Sequence, residues 1–165
     1  MQLTHEENQF ERKTFPITLV CDHIYFQQNI GSLFRISEAF GVENIIFYGK
    51  DIPLTPRKIN KTSRSTHLHV AHSVIEDFAA LQSFLLDNDF EIISLEIASN
   101  SKPLKEVSIP KNKKIALLIG SEINGISEEL LKLSHQIVHI NMFGKDSSIN
   151  VVQAASIALY EITSL

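Results

Sequence analysis

Residues 16–50 read PITLVCDHIYFQQNIGSLFRISEAFGVENIIFYGK. The opening PITLVC is apolar and rich in β-branched residues, as a buried strand is, and it stops at Asp22 and His23. Placed at 100° intervals from Ile30, Leu33, Phe34 and Ser37 fall within about 60° of it, which defines the core face of a helix. Arg35 falls about 140° away, turned off that face. Asn29 stands where a helix cap is expected, Gly41 ends the helix, and NIIFY at 44–48 reads as a second strand. Strand, helix and strand within about 33 residues make a βαβ unit, which calls for a parallel sheet and a right-handed crossover.

The same alternation continues toward the C-terminus. After Pro53 and Pro56, the segment RKINKTSRST carries Arg57, Lys58, Lys61 and Arg64, and there is no acid between Ile52 and Ile75. A basic loop of this kind suits phosphate contacts, and equally a solvated surface. HLHVAH at 67–72 is expected to be a strand. Its H-x-H-x-x-H spacing invites a metal reading, but on a strand His67 and His69 share a face while His72 points to the other, so no metal site is expected. A helix over 74–86 and strands at 90–97 and 114–119 follow. Glu122 stands between Gly120 and Gly125, where a carboxylate after a buried strand is either a solvated turn residue or a partner for a cation. The glycine spacing fits neither a Walker phosphate loop nor a dinucleotide fingerprint.

The last unit is IVHI at 137–140, a polar loop NMFGKDSS, and INVVQAASIALYE at 149–161. It predicts a buried strand, a tight turn at Gly144, and a helix capped by Ser147 or Ser148 with Asn150 in its first turn. The helix is apolar nearly all round and is expected to be buried. Its N-terminal dipole end suits a polar or anionic ligand.

Composition sets the limits. With 165 residues, 44% hydrophobic and 21% charged, the chain suits one globular core, and the expected division is a tail at 1–14 and a single domain at 15–165. The lone Cys21 provides no disulfide framework and fits a reducing, cytoplasmic setting. The N-terminus has no signal-peptide pattern, and no apolar run reaches membrane-spanning length. A formal net charge of −4 argues against binding nucleic acid by bulk charge.

Three segments taken together, NIGSLFR at 29–35, IALLIGSEINGIS at 115–127 and INMFGKDSSINVVQAASIALYE at 140–161, resemble the three motifs of the SpoU/TrmH family of RNA 2′-O-ribose methyltransferases, in family order. The resemblance implies an α/β fold, a mostly parallel sheet with helices on both faces, whose C-terminal part forms a deep trefoil knot. It implies S-adenosylmethionine as methyl donor, no metal, a homodimer and an RNA substrate, tRNA ahead of rRNA. It places Arg35, Asn29, Glu122, Ser148 and Asn150 in the catalytic set. Leu95, Gly120, Ile140, Met142 and Ile149 are placed at the cofactor, with Arg57, Lys58, Lys61 and Arg64 as RNA contacts. The chain departs from the family's usual third motif at Asn141, where proline is usual, and at Ile149, where leucine is usual. The resemblance implies that Arg35 takes the 2′-hydroxyl proton with help from a nearby phosphate; because a guanidinium holds its proton, a bidentate clamp on that phosphate is the alternative that suits its chemistry. The alternatives are an rRNA target, a base-methylating knotted enzyme, a non-catalytic RNA-binding member, and an unrelated nucleotide-binding α/β protein.

Overall fold

The computed structural model describes residues 10–55, 59, 63–110, 112–145 and 148–164. Seven strands form one sheet: β1 (Phe15–Asp22), β2 (Val42–Tyr48), β3 (Ala71–Ile75), β4 (Glu91–Leu95), β5 (Lys102–Pro103), β6 (Ile115–Gly120) and β7 (Gln136–His139). Their order is β3-β2-β1-β6-β4-β7-β5, and each neighbouring pair is parallel. The helices described in full are α1 (Gln27–Ala39), α2 (Phe78–Asp87), α3 (Glu128–Leu133) and α4 (Val151–Ser164).

The central strands read as unbroken apolar runs because both of their faces are covered. Successive side chains alternate between two cores. Ile17, Leu19 and Cys21 of β1 join Ile45 and Phe47 of β2 and Ile115, Leu117 and Ile119 of β6 under α1 and α4. Their neighbours Val20, Ile46, Tyr48, Ala116 and Leu118 pack on the opposite face, against Leu81 and Leu85 of α2 and Leu130 of α3. Helices therefore flank the sheet on both sides, as expected. Phe34, fully buried in α1, lies 5.6 Å from the Phe47 ring, and burying such a side chain stabilises the fold by roughly 1.5–3 kcal/mol.

Several boundaries differ from the sequence reading. Thr66–Leu68 form a single 3₁₀ turn, and β3 begins only at Ala71. Positive φ at Arg64 and Ser65 turns the chain, while His67 is buried with Nδ1 2.9 Å from Ser63 Oγ. His67 and His72 both stand edge-on to Phe34, 6.1 and 4.9 Å from its ring, so the histidines serve packing there. Val74 and Ile75 complete β3, and α2 starts later, because Asp77 caps it by accepting from the Ala80 N–H at 2.9 Å. Helix α4 is buried along one face only, leaving Ile157 45% and Tyr160 63% exposed. No helix among the described residues is long and apolar enough to cross a membrane.

Candidate functional site

Parallel α/β sheets bind ligands at the carboxyl ends of their strands, where helix N-termini converge. The main cleft lies there. Leu95 ends β4, Ile119 and Gly120 end β6, and His139 ends β7; Ile140, Met142, Ser148 and Ile149 close one side, with Val151 and Ala154 of α4 beneath. All five residues expected at the cofactor line this cleft, as do Glu122 and Ser148.

The loop after β6 is shaped by two glycines. A Cβ on Gly120 would stand 2.1 Å from the Gly125 carbonyl carbon and 2.2 Å from the Ile126 nitrogen, both backbone atoms with nowhere to yield. Gly125 has φ +67 and would press a Cβ to within 2.5 Å of Glu96 Oε2. The loop folds back on itself through the Gly125 N–H donating to Ser121 O at 2.9 Å. Glu96 then fastens it: Oε2 accepts from the Ile126 N–H and Oε1 from the Ile97 N–H, each at 2.9 Å. The sequence reading missed Glu96, although its signal, a carboxylate just beyond a buried strand, is the one that singled out Glu122.

Asn29 does not cap α1. Phe26 holds the cap position without a side-chain bond, and Asn29 is the third helical residue, buried, with its amide turned toward the β6 loop. Its Nδ2 donates to Glu122 Oε1, and its Oδ1 accepts from Asn150 Nδ2 at 3.2 Å. Glu122 is thereby held near the positive end of α1, a favourable place for a carboxylate. Asn150 itself caps α4, since its Oδ1 accepts from the Val152 N–H at 2.8 Å. Ser148 is exposed and leaves that task to Asn150; Ser147 lies outside the described residues. The chain bends at Gly144, but φ there is not positive and an added Cβ would meet no described atom within 4 Å, so the bend does not require a glycine.

Asn29, Glu122 and Asn150 thus form one hydrogen-bonded group joining three distant segments at the cleft, beside Ser148. Arg35 is not part of it. It is exposed on α1, and among the described residues it has no hydrogen bond or ion pair. Arg57, Lys58 and Lys61 lie outside the described residues, whereas Arg64 is exposed.

The electrostatics correct one expectation. Among the described residues Glu96 and Glu122 line the cleft and no lysine or arginine does, so that lining favours a ligand carrying positive charge over an anion. The remaining lining of Leu95, Ile97, Ile119, Ile140, Met142, Ile149, Val151 and Ala154 is apolar, suited to a flat or thioether-bearing molecule. Deeper in the sheet, Asp22 is 1% exposed and accepts from the Ser127 N–H at 2.6 Å, which ties the end of β1 to the start of α3. Next to it, burial and the hydrogen bond to Glu129 push the Tyr48 phenol above its ordinary range. No group of three or more potential metal-ligating side chains occurs among the described residues.

Comparison with known proteins gives a consistent set of likenesses. The family model described as the SpoU rRNA Methylase family matches residues 16–160. A tRNA (guanosine(18)-2′-O)-methyltransferase of Thermus thermophilus is 27% identical over 157 residues, which covers 94% of this chain and 78% of the relative. The TrmH/SpoU tRNA modifying enzyme of A. aeolicus superposes with a TM-score of 0.81 at 22% identity, over 93% of this chain and 77% of that one. An AdoMet-bound rRNA methyltransferase from Sinorhizobium meliloti superposes with a TM-score of 0.83 at 18% identity, over 94% and 58% of the two chains. At such identities the structural likeness speaks to the fold.

Proposed function

Because the chain belongs to the SpoU methylase family, we infer that it is an S-adenosylmethionine-dependent RNA methyltransferase that places a methyl group on a ribose 2′-hydroxyl, with tRNA as the preferred substrate. The observation that carries this reading is the Asn29–Glu122–Asn150 group, built from all three motif segments, at the mouth of a cleft whose charge suits a sulfonium.

Leu95, Gly120, Ile140, Met142 and Ile149 would hold the cofactor, which when bound supplies an electrophilic methyl group. Glu96 keeps the β6 loop in shape, and Glu122 offers negative charge at the mouth. Displacement at a methyl carbon asks chiefly for alignment, and well-held reactants can gain on the order of 7–11 kcal/mol. A cleft braced by side-chain bonds across 93 and 121 positions of the sequence is suited to that. Ser148 and Asn150 would lie near the ribose. Arg35, with a free guanidinium, would clamp an RNA phosphate in bidentate fashion and stabilise developing charge on the attacking oxygen.

Two further parts belong to this reading. One methyltransferase domain over 15–165 would act as a homodimer, supported by apolar surface left on one side of the protomer: Phe143 is 96% exposed, beside Ile157 and Tyr160 of α4. The trefoil threading of the C-terminal part is supported by the strand order, in which the chain leaves β6, passes β4 to reach β7, and returns as α4 against α1. The basic stretch around Arg64 would meet RNA phosphates, so binding should weaken as salt rises.

The test is transfer of a labelled methyl group from S-adenosylmethionine to total tRNA and to rRNA, followed by digestion to nucleosides. Label in 2′-O-methylated nucleosides from tRNA is the expected result. Label confined to rRNA would move the substrate, and label in a methylated base would overturn the ribose assignment.

A further inference from the structure

The turn between β1 and α1 lies on the same sheet edge as the cleft, one strand away, and the activity inferred above makes no use of it. Asp22 is in register with Gly120 of β6 on one side and with Tyr48 of β2 on the other. From there His23 takes a left-handed conformation, φ 52, which a residue with a Cβ adopts at a cost. Its Nδ1 lies 2.5 Å from Asp22 Oδ1, and the other oxygen of that buried carboxylate is occupied by the Ser127 N–H. The imidazole is thus fixed from behind, stands edge-on to Tyr48 at 5.0 Å, and still has 44% of its side chain exposed.

Tyr25 completes a surface with it. The two rings are 6.2 Å apart, and both rest on Gly49: a Cβ there would lie 3.0 Å from Tyr25 Oη and 3.2 Å from His23 Cδ2. The glycine, at φ +139, lets the Tyr25 hydroxyl and the edge of the His23 ring lie against bare backbone, and Lys50 follows it, exposed. Tyr25 remains 42% exposed. A held imidazole and a half-exposed phenol ring, tilted 52° to each other with an exposed lysine two residues from Tyr48, offer aromatic surface of the kind on which unpaired nucleobases stack.

We propose that His23 and Tyr25, with Lys50 at the adjoining phosphate, form a ledge that receives a nucleotide neighbouring the one whose ribose enters the cleft. The proposal rests on the RNA methyltransferase reading. RNA is favoured over a second copy of the chain because the exposed Lys50 ammonium at its side can meet a phosphate, Asp51 following it, and because the ledge opens on the edge where the acceptor must approach. The surface around Phe143 and Ile157, where apolar side chains mix with Lys105, Asn141 and Glu161, lies elsewhere, around β7 and α4. The rigid mounting matters as well, since a ring already held in place loses little freedom when a base stacks on it.

The test uses the full chain, its His23→Ala, Tyr25→Ala and Tyr25→Phe variants, and the double variant His23→Ala with Tyr25→Ala. Affinity for end-labelled total tRNA is read by anisotropy, cofactor affinity by calorimetry, and oligomeric state by light scattering. Each alanine variant is expected to weaken tRNA binding on the order of 10-fold, with cofactor affinity and oligomeric state held, while Tyr25→Phe keeps the ring and the affinity. Unchanged tRNA affinity in the double alanine variant would overturn the ledge and leave the enzyme reading standing. Weaker binding accompanied by loss of the oligomer would overturn it in favour of a contact between copies. If the wild-type chain bound the cofactor but neither tRNA nor rRNA, the ledge and the RNA reading would fall together.

Discussion

Replacing Gly120 by alanine tests the architecture of the cleft at its tightest point. The added carbon would sit 2.1 Å from the Gly125 carbonyl carbon, against 3.4 Å for ordinary contact, so the loop must retreat by about 1.3 Å. All three of the nearest atoms are backbone, and that backbone is held by Glu96, so no side chain can turn away to absorb the shift. Overpacking of this kind costs roughly 1–3 kcal/mol, or about 2–12 °C in melting temperature for a chain of this size. Function should suffer more than stability, because a misplacement of about 1 Å at a reacting centre can reduce the rate on the order of 100-fold. The assay is calorimetric titration with S-adenosylmethionine beside thermal unfolding and methyl transfer. Gly144→Ala is the control, since no described atom lies within 4 Å of its added carbon, and both melting temperature and cofactor affinity should stay at the wild-type value. Wild-type cofactor affinity in a folded Gly120→Ala protein would refute the claim that this loop's backbone shapes the cofactor site.

Three other perturbations separate the roles of neighbouring groups. Glu96→Gln keeps the shape but removes the charge and leaves one oxygen where two accepted from the Ile97 and Ile126 N–H groups, so cofactor affinity should fall by at least about 10-fold, near 1.4 kcal/mol; an unchanged value in titration would detach Glu96 from the site. Arg35→Lys leaves an exposed position cationic and should alter stability by no more than about 0.5 kcal/mol, yet the loss of the guanidinium fork should lower turnover on the order of 100-fold; full turnover would end the clamp hypothesis. For Tyr48, the folded phenol keeps its proton at pH values where the unfolded one, with an ordinary value near 10, has lost it. The unfolded state then binds fewer protons, so stability should decline as pH rises through about 10, and Tyr48→Phe should remove that part of the decline in alkaline denaturation curves.

The sequence by itself determined the parallel α/β class, because strands buried on both faces must be continuously apolar and Ile30, Leu33 and Phe34 recur at helical spacing. It also marked out the three segments that meet at the cleft, through their joint resemblance to the SpoU/TrmH motifs, whereas taken singly Asn29 read as a cap and Glu122 as a solvated turn residue or a partner for a cation. Local chemistry misled where more than one use existed. Asn29 has the side chain of a cap but lies third in its helix, bonded to Glu122 from 93 residues away. The cap of α4 proved to be Asn150 rather than a serine, because the same amide also reaches Asn29. Periodicity ran HLHVAH together as a strand, whereas His67 was drawn out of it by Ser63 and the Phe34 ring. An all-apolar α4 read as buried, yet one face of it is left uncovered by the protomer. Only the tertiary structure decided that Gly120 is immovable and Gly144 replaceable, that Glu96 holds the loop, and that the cleft is acidic. The physical reason is that hydrophobic patterning is a property of neighbours along the chain, while a site's charge and clearances arise between atoms that the sequence keeps far apart.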